Sequence, residues 1–428
     1  MCLKRNSGPG MAETSGFSAT LRVAFRRLRE IGRRLWVRVI GIAALSLVAV
    51  LVSQLFAHLI PQGFSEAIGA DSLVGLLTII ANAMLTVTTF SLTVIVTIHR
   101  SVAGQWTPRA HRIMLRDSPT QTVLATFIGA FIYSLTSLIL LSTPYFGEAG
   151  VVVLFGMTLL VILLIVAMMI RWILHLQTWG SLVQTLDAIE DHAIIAFGER
   201  AQRPCHGANP LTAETVIPPR AADLHAPRTG FIQSIYEPQI DAIAGRAGAG
   251  VYLIAPPGQF VHKGEVIGHV AGGPPDLAEE IAGSIVIGKI RTPDQDPRFC
   301  LVMLSEMGSK ALSPGINDPG TAIDVLGTLT RILGHYQPEA EGPPPEYPNL
   351  WLPPLDAEHL VTDAFAGIAR DGAALVEVQI ALQRRLAGII AHQPALAQAA
   401  RKLAADALAR ANKALDHPAD RDRLAAAT

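Results

Sequence analysis

Residues Asn82–Arg100 read NAMLTVTTFSLTVIVTIHR, and this stretch decides the class of the protein. It holds no acidic side chain and meets its first basic one, Arg100, at its end. With the apolar residues before it, from Leu73, the run exceeds the roughly 20 helical residues that cross a hydrocarbon core. Three more runs share this character: Val39 to Ile60, Gln121 to Leu141 and Val151 to Ile170. None contains Asp, Glu, Lys or Arg, whereas the segments between them carry the local charge, the pattern a bilayer imposes. Four transmembrane helices are expected.

Within the quoted stretch, Asn82, Thr86, Thr89, Thr93 and Thr97 fall at helical steps and form one polar stripe. The third run repeats the spacing with Thr122, Thr126, Gly129, Tyr133 and Ser137. Two readings stay open. The stripes pack helices closely and bond across them, or they line a permeation path built by several subunits. The lack of an intramembrane carboxylate, Lys or Arg speaks against a proton-coupled pump, and His58 is expected to be interfacial.

Orientation follows from basic residues, which are retained on the cytoplasmic side. Arg22, Arg26, Arg27, Arg29, Arg33, Arg34 and Arg38 precede the first run, and Arg100, Arg109, Arg112 and Arg116 follow the second. The other two connections carry Glu66, Asp71 and Glu148 and no basic residue. Both termini are therefore expected in the cytoplasm. Residues 1–18 are read as a disordered leader, and 19–38 as a basic helix on the lipid surface.

Composition agrees with a membrane half and a soluble half: 50% of the 428 residues are hydrophobic, concentrated in the first 180 positions. Mean hydropathy is +0.38. The net charge of -1 gives no pull toward nucleic acid, and none is expected as a partner. Cys2, Cys205 and Cys300 outline neither a disulfide framework nor a zinc site, and the pair Cys205-His206 lacks further ligands nearby. No cofactor or metal is expected. The expected partners are the lipid bilayer, further copies of the chain, and a cytosolic ligand or protein.

After the four-helix domain (39–177) comes a helix and linker (178–227), then glycine-punctuated β-prone runs over 228–290. The segment PPGQFVHKGEVIGHV, with turns at Pro257-Gly258 and Lys263-Gly264, resembles half of a barrel-sandwich hybrid module. Lys263 lies in a turn without the context of a modified carrier lysine. AGRAGAG, Ala244–Gly250, precedes a strand rather than following one, so it is a helix stop and not a phosphate loop. A helical region (291–336), a proline-rich linker (337–356) and C-terminal helices (357–428) complete the chain. The expected fold class is thus an α+β membrane protein: four transmembrane helices, a small cytosolic β module that is barrel-sandwich-like, and a helical C-terminal domain.

The helical region contains KALSPGINDPGTAIDVL, Lys310–Leu326. Pro314 stops one helix near Leu312, Asn317 or Asp318 caps the next, and Pro319 suits its first turn. Arg291, Asp294, Asp296, Glu306, Ser313, Asn317, Asp318, Thr321 and Asp324 form the densest polar set of the soluble half. As a site it would hold an anion or a divalent cation; as structure it is a capped corner.

These residues carry a resemblance. RTPDQD, KALSPGINDPGTA, QWTPR and LRDSPTQTVLATFIGAFIYSL are similar to the bacterial predicted-membrane-protein family known as domain of unknown function twenty-two fifty-four. The hallmark of that family is an ALSPGINDPFTA stretch. The similarity runs from the first span to about Gly372 and departs at Gly320, where the family usually has an aromatic. It implies this architecture and a bacterial inner membrane, and it brings no activity with it. From the residues, the leading expectation is an oligomeric channel-like or ligand-sensing protein with a cytosolic regulatory domain. A scaffold for an envelope complex and an enzyme using the Asp-rich corner are the alternatives; no common catalytic signature such as GxSxG or HExxH is present.

Overall fold

The computed structural model describes residues 70–105, 107–110, 118–143, 148–178, 181–339 and 342–427, with isolated positions between 37 and 52. The leader, the basic arm and most of the first expected span fall outside those residues. The chain divides into two units, Met1–Gly104 with Met114–Ser181, and Gln105–Ile113 with Leu182–Thr428.

In the first unit, α1 (Ala70–Gln105), α2 (Ser118–Leu141) and α3 (Glu148–Thr178) correspond to the second, third and fourth expected spans. Among the described residues these three helices are long and apolar enough to cross a bilayer. They share a core in which Leu73, Leu77, Ile80 and Met84 of α1 join Val123 and Phe127 of α2 and Leu154 and Val161 of α3. Much of the remaining surface is also apolar: Phe90 is 65% exposed, Ile139 66% and Leu163 70%. A helix apolar all round finds its low-energy surroundings in hydrocarbon, where its own backbone bonds satisfy every peptide group.

The two polar stripes behave differently. Asn82, Thr86, Thr89, Thr93 and Thr97 are exposed on α1. Each of these four threonine hydroxyls donates to the carbonyl four residues earlier, at 2.9 to 3.1 Å. On α2, by contrast, Thr126, Tyr133 and Ser137 are buried and Thr122 is partly so. The Tyr133 hydroxyl meets Thr158 Oγ1 of α3 at 3.1 Å. Tyr133 of the α2 stripe thus packs against α3 while Gly129 lies against Ile42, and the exposed α1 stripe does not face the buried one.

The second unit has a β layer and a helical layer. Strands β1 (Ala208–Pro210), β2 (Ala222–His225), β3 (Gly230–Ile235), β4 (Gly250–Leu253), β5 (Phe260–Val261), β6 (Val266–Ala271), β7 (Ile285–Gly288) and β8 (Tyr347–Leu352) make two sheets. One has the order β1-β8-β4-β6-β2 and the other β5-β3-β7. Val251, Leu253, Ile267, Val270 and Leu350 of the first sheet share a core with Ile232, Ile235 and Ile287 of the second. Helices α5 (Glu237–Ala247) and α6 (Leu277–Ala282) add Ile240, Ile243 and Leu277 to it. Gly248, at φ +60, ends α5, as the reading of AGRAGAG as a helix stop expects.

Both segments read as linkers contribute strands: β1 and β2 lie within 178–227, and β8 within 337–356. Proline concealed them. In β8 the register jumps from Ala208↔Tyr347 to Asn209↔Trp351, so Pro348 sits in a bulge where its missing N–H is no loss. The Asn209 amide donates to Pro348 O and Leu350 O, at 2.9 and 3.0 Å, and bridges the gap in the ladder.

The helical layer comprises α4 (Leu182–Gln202), α7 (Pro297–Ala311), α8 (Pro319–Leu333), α9 (Ala357–Asp371), α10 (Val376–His392) and α11 (Pro394–Ala414). The short α12 (Pro418–Ala425) follows. Apolar residues at three- and four-residue steps, such as Leu186, Ile189, Ala193 and Phe197 on α4, build its core. Arg331 of α8 reaches both carboxylate oxygens of Glu190 on α4, at 2.6 and 2.5 Å.

Candidate functional site

Residues 105–113 follow the second expected span and precede the third, yet they belong to the second unit. Ala110 is fully buried in the helical core. Its neighbour Arg109 pairs with Glu306 of α7 and lies 6.0 Å from the ring of Phe299. Burial pushes the Glu306 carboxyl above its ordinary range, against the pull of Arg109.

This contact closes one side of a groove of about 710 Å³, with α7 and α9 as its walls. Ser305, Glu306 and Ser309 of α7 and Asp363, Gly367 and Arg370 of α9 stand along it at helical steps. Gly367 opens the floor. A Cβ there would lie 2.9 Å from Ser309 Oγ and 3.3 Å from Ser305 Oγ. The charged groups are each held by one opposite neighbour: Asp363 by Arg298 at 2.8 Å, and Arg370 by Asp371 at 2.7 Å. The groove therefore presents fixed charges of both signs around hydroxyl groups, a surface able to orient a small polar ligand.

The RTPDQDP loop joins the β layer to α7. Gln295 accepts from Ile235 N at 2.8 Å and donates to Ile235 O at 3.1 Å and to Glu237 Oε1 at 3.0 Å. Asp296 begins α7, is 3% exposed, and accepts from Arg291 Nε at 2.6 Å. Burial nevertheless raises its pKa, with Arg291 opposing. The Arg291 guanidinium lies over Phe299, 5.1 Å from the ring centre. Behind this loop, Cys205, His206 and Gly207 run at φ +48, +58 and +83. Left-handed backbone costs about 1–2 kcal/mol per non-glycine residue, so the turn is held by its surroundings. It sets His206 Nδ1 3.7 Å from Glu237 Oε1. Burial lowers the His206 pKa well below the ordinary value and pushes Glu237 up to about 7. A second cleft, of about 300 Å³, lies between this loop and Pro353–Asp356 and includes Arg200, Arg298 and His359.

The structure divides the polar set read from the sequence. Arg291 and Asp296 meet at the start of α7, with Asp294 exposed beside them. Ser313, Asn317, Asp318, Thr321 and Asp324 lie beyond its end, and a 15-residue helix puts about 22 Å between the two groups. At the far corner Asp318 accepts from Thr321 N at 3.0 Å and from the Thr321 hydroxyl at 2.6 Å. Asn317 takes φ +52, Ser313 Oγ donates to Lys310 O at 2.7 Å, and Asp324 is exposed. That is the capped corner expected from the prolines. The set does not converge on one ligand, because the helix separates its halves.

Of the groove residues, only Glu306 stood in the polar set, and Arg109 appeared only as a charge that sets orientation. A signal was present: Ser305 and Ser309 are four apart, and Asp363, Gly367 and Arg370 are spaced by four and three. Small and polar residues thus interrupt one line on each of two amphipathic helices, which a search for catalytic motifs passes over.

No solved structure matches the chain. The uncharacterized proteins Rv1290c of Mycobacterium tuberculosis and Mb1321c of Mycobacterium bovis are each 29% identical over 272 residues, covering 60% of this chain and 51% of theirs. The chain thus spans about half the length of the curated relatives it matches. A family described as "Predicted membrane protein (DUF2254)" matches residues 32–388, so the QWTPR, RTPDQD and SPGINDP segments all fall inside it. The chain belongs to that family of predicted membrane proteins.

Proposed function

We propose that this chain is an oligomeric, ligand-sensing protein of a bacterial inner membrane, with both termini cytoplasmic and the second unit regulating the spans. One observation carries the reading. The connection between two apolar helices is built into the second unit, through buried Ala110 and the Arg109 to Glu306 pair, at the edge of the groove. A ligand seated there bears on a segment covalently continuous with both helices. Coupling of this kind needs a ligand that binds two arrangements unequally, and a groove wall that includes the connection supplies the differential contact.

The exposed α1 stripe supports self-association. In hydrocarbon the Asn82 amide gains from a partner across a helix interface, whereas the threonine hydroxyls are already bonded to their own helix. The 228–290 segment acts in this reading as a docking module, supported by its two glycine turns, Gly258 at φ +88 and Gly264 at φ +85.

The test is flux of ions and small solutes through proteoliposomes containing the full chain, with wild type beside Glu306→Gln and Asn82→Leu. Regulated flux that Glu306→Gln alters and Asn82→Leu reduces is the expected result. No flux under any condition, together with a monomer by native mass measurement, would overturn the gating reading.

A further inference from the structure

The groove of the sensing reading also points to a class of ligand. We propose that it binds a small zwitterion of the amino-acid class, its carboxylate at the arginines and its ammonium at the acidic wall. This rests on the groove being the sensor site, but not on the spans conducting anything.

Arg109 and Arg370 stand against Glu306 and Asp363, so the wall is balanced overall while both signs remain in place. Complementarity favours a ligand that is itself neutral overall and carries both charges. An anion alone would meet two carboxylates, and a cation alone two guanidinium groups. A guanidinium has five N–H donors. Arg109 gives Nη1 to Glu306, and Arg370 gives Nε and Nη2 to Asp371. The other N–H groups of each fork match the planar geometry of a carboxylate.

Ser305 is 6% exposed and lines the groove, so its hydroxyl stands where a polar ligand can reach it. Ser309 beside it bonds Asp371. A hydroxyl both donates and accepts, so Ser305 can bond either end of a polar ligand. Gly367 leaves the room for that ligand, because any side chain would press on both serine oxygens.

The experiment measures binding to the full chain in nanodiscs by calorimetry. The probes are the standard amino acids, with inorganic phosphate and glycerol as other chemistries. The best binder is compared with its amide, which keeps only the cation, and with its deaminated acid, which keeps only the anion. The expected result is saturable binding of at least one amino acid, weakened about tenfold or more in each one-charge analogue, the size of a lost charge-assisted hydrogen bond. Ser305→Ala and Gly367→Ala should each weaken binding while the ligand-free melting temperature stays near wild type. Should one of them fail to fold, the analogue series on the wild-type protein still decides. Binding of phosphate or glycerol alone, equal affinity for the one-charge analogues, or no binding at millimolar amino acid would overturn the assignment. Amino-acid binding without flux would keep it and reject only the gating.

Discussion

The guanidinium of Arg200, near the end of α4, donates from Nε and Nη2 to both carboxylate oxygens of Glu339, each at 2.5 Å. Their side chains are 8% and 1% exposed. Glu339 Oε2 also accepts from Leu355 N at 3.1 Å, so the pair ties α4 to the segment that enters α9.

Removing one member of a buried pair leaves an uncompensated charge, which costs about 3–5 kcal/mol. Glu339→Ala should destabilise the second unit by that amount, read as a fall in the denaturant midpoint of the solubilised protein. Replacing both residues, Arg200→Met with Glu339→Leu, should recover most of the loss. A cost below about 1 kcal/mol for Glu339→Ala would show that water rescues Arg200.

Asp318 is exposed, and its effect is that of a helix cap. Asp318→Ala should cost about 1 kcal/mol of stability, and Asp318→Asn only a fraction of this, because Asn also caps well. The Thr321 hydroxyl and backbone N–H hold the Asp318 carboxyl below its ordinary pKa of 3.8. The folded state therefore binds this proton less readily than the unfolded chain. The contribution is present above about pH 4 and is lost as pH falls through the lowered value. A difference in stability between wild type and Asp318→Ala that persists fully at pH 2 would contradict the cap.

How much of this was legible in the sequence depended on the range of the interactions. Pro314, Asp318 and Pro319 act within a few residues of themselves, and stop, cap and start fell where those residue types require. The three described helices long and apolar enough to cross a bilayer were legible for a similar reason, since every residue of such a run must be compatible with hydrocarbon. Strand β8 was not, because YPNLWL pairs with partners more than 90 residues away and its proline is tolerated only through the bulge. The groove was illegible because Arg109 and Glu306 are 197 residues apart, and neither belongs to a motif that names its partner.

Gly258 has a neighbour that its turn alone would not reveal. Its φ is +88, and a Cβ there would overlap the carboxylate of Asp296. Gly264 has φ +85 with nothing within 4 Å of such a Cβ. Gly264→Ala should cost only the backbone term, about 1 kcal/mol. Gly258→Ala should cost at least about 1 kcal/mol more, because the Asp296 to Arg291 pair must shift. Equal losses for the two variants, measured by thermal unfolding, would place Asp296 away from the turn.

Arg109 and Glu306 are 49% and 33% exposed, so their attraction is screened and worth about 0.2–1 kcal/mol. Stability is therefore a poor reporter of this pair, and function is the better one. In the proposed sensing role, Arg109→Glu puts two carboxylates together beside Phe299 and should weaken both ligand response and regulated flux, while the melting temperature moves by only a few degrees. The exchange Arg109→Glu with Glu306→Arg restores opposite charges across the same contact and should recover the response. A double variant as defective as the single one would mean that Arg109 acts on something other than Glu306. Because the pair is half in solvent, raising ionic strength from 0.01 to 1 M, which shortens the screening length from about 30 to about 3 Å, should shrink the difference between the single variant and wild type.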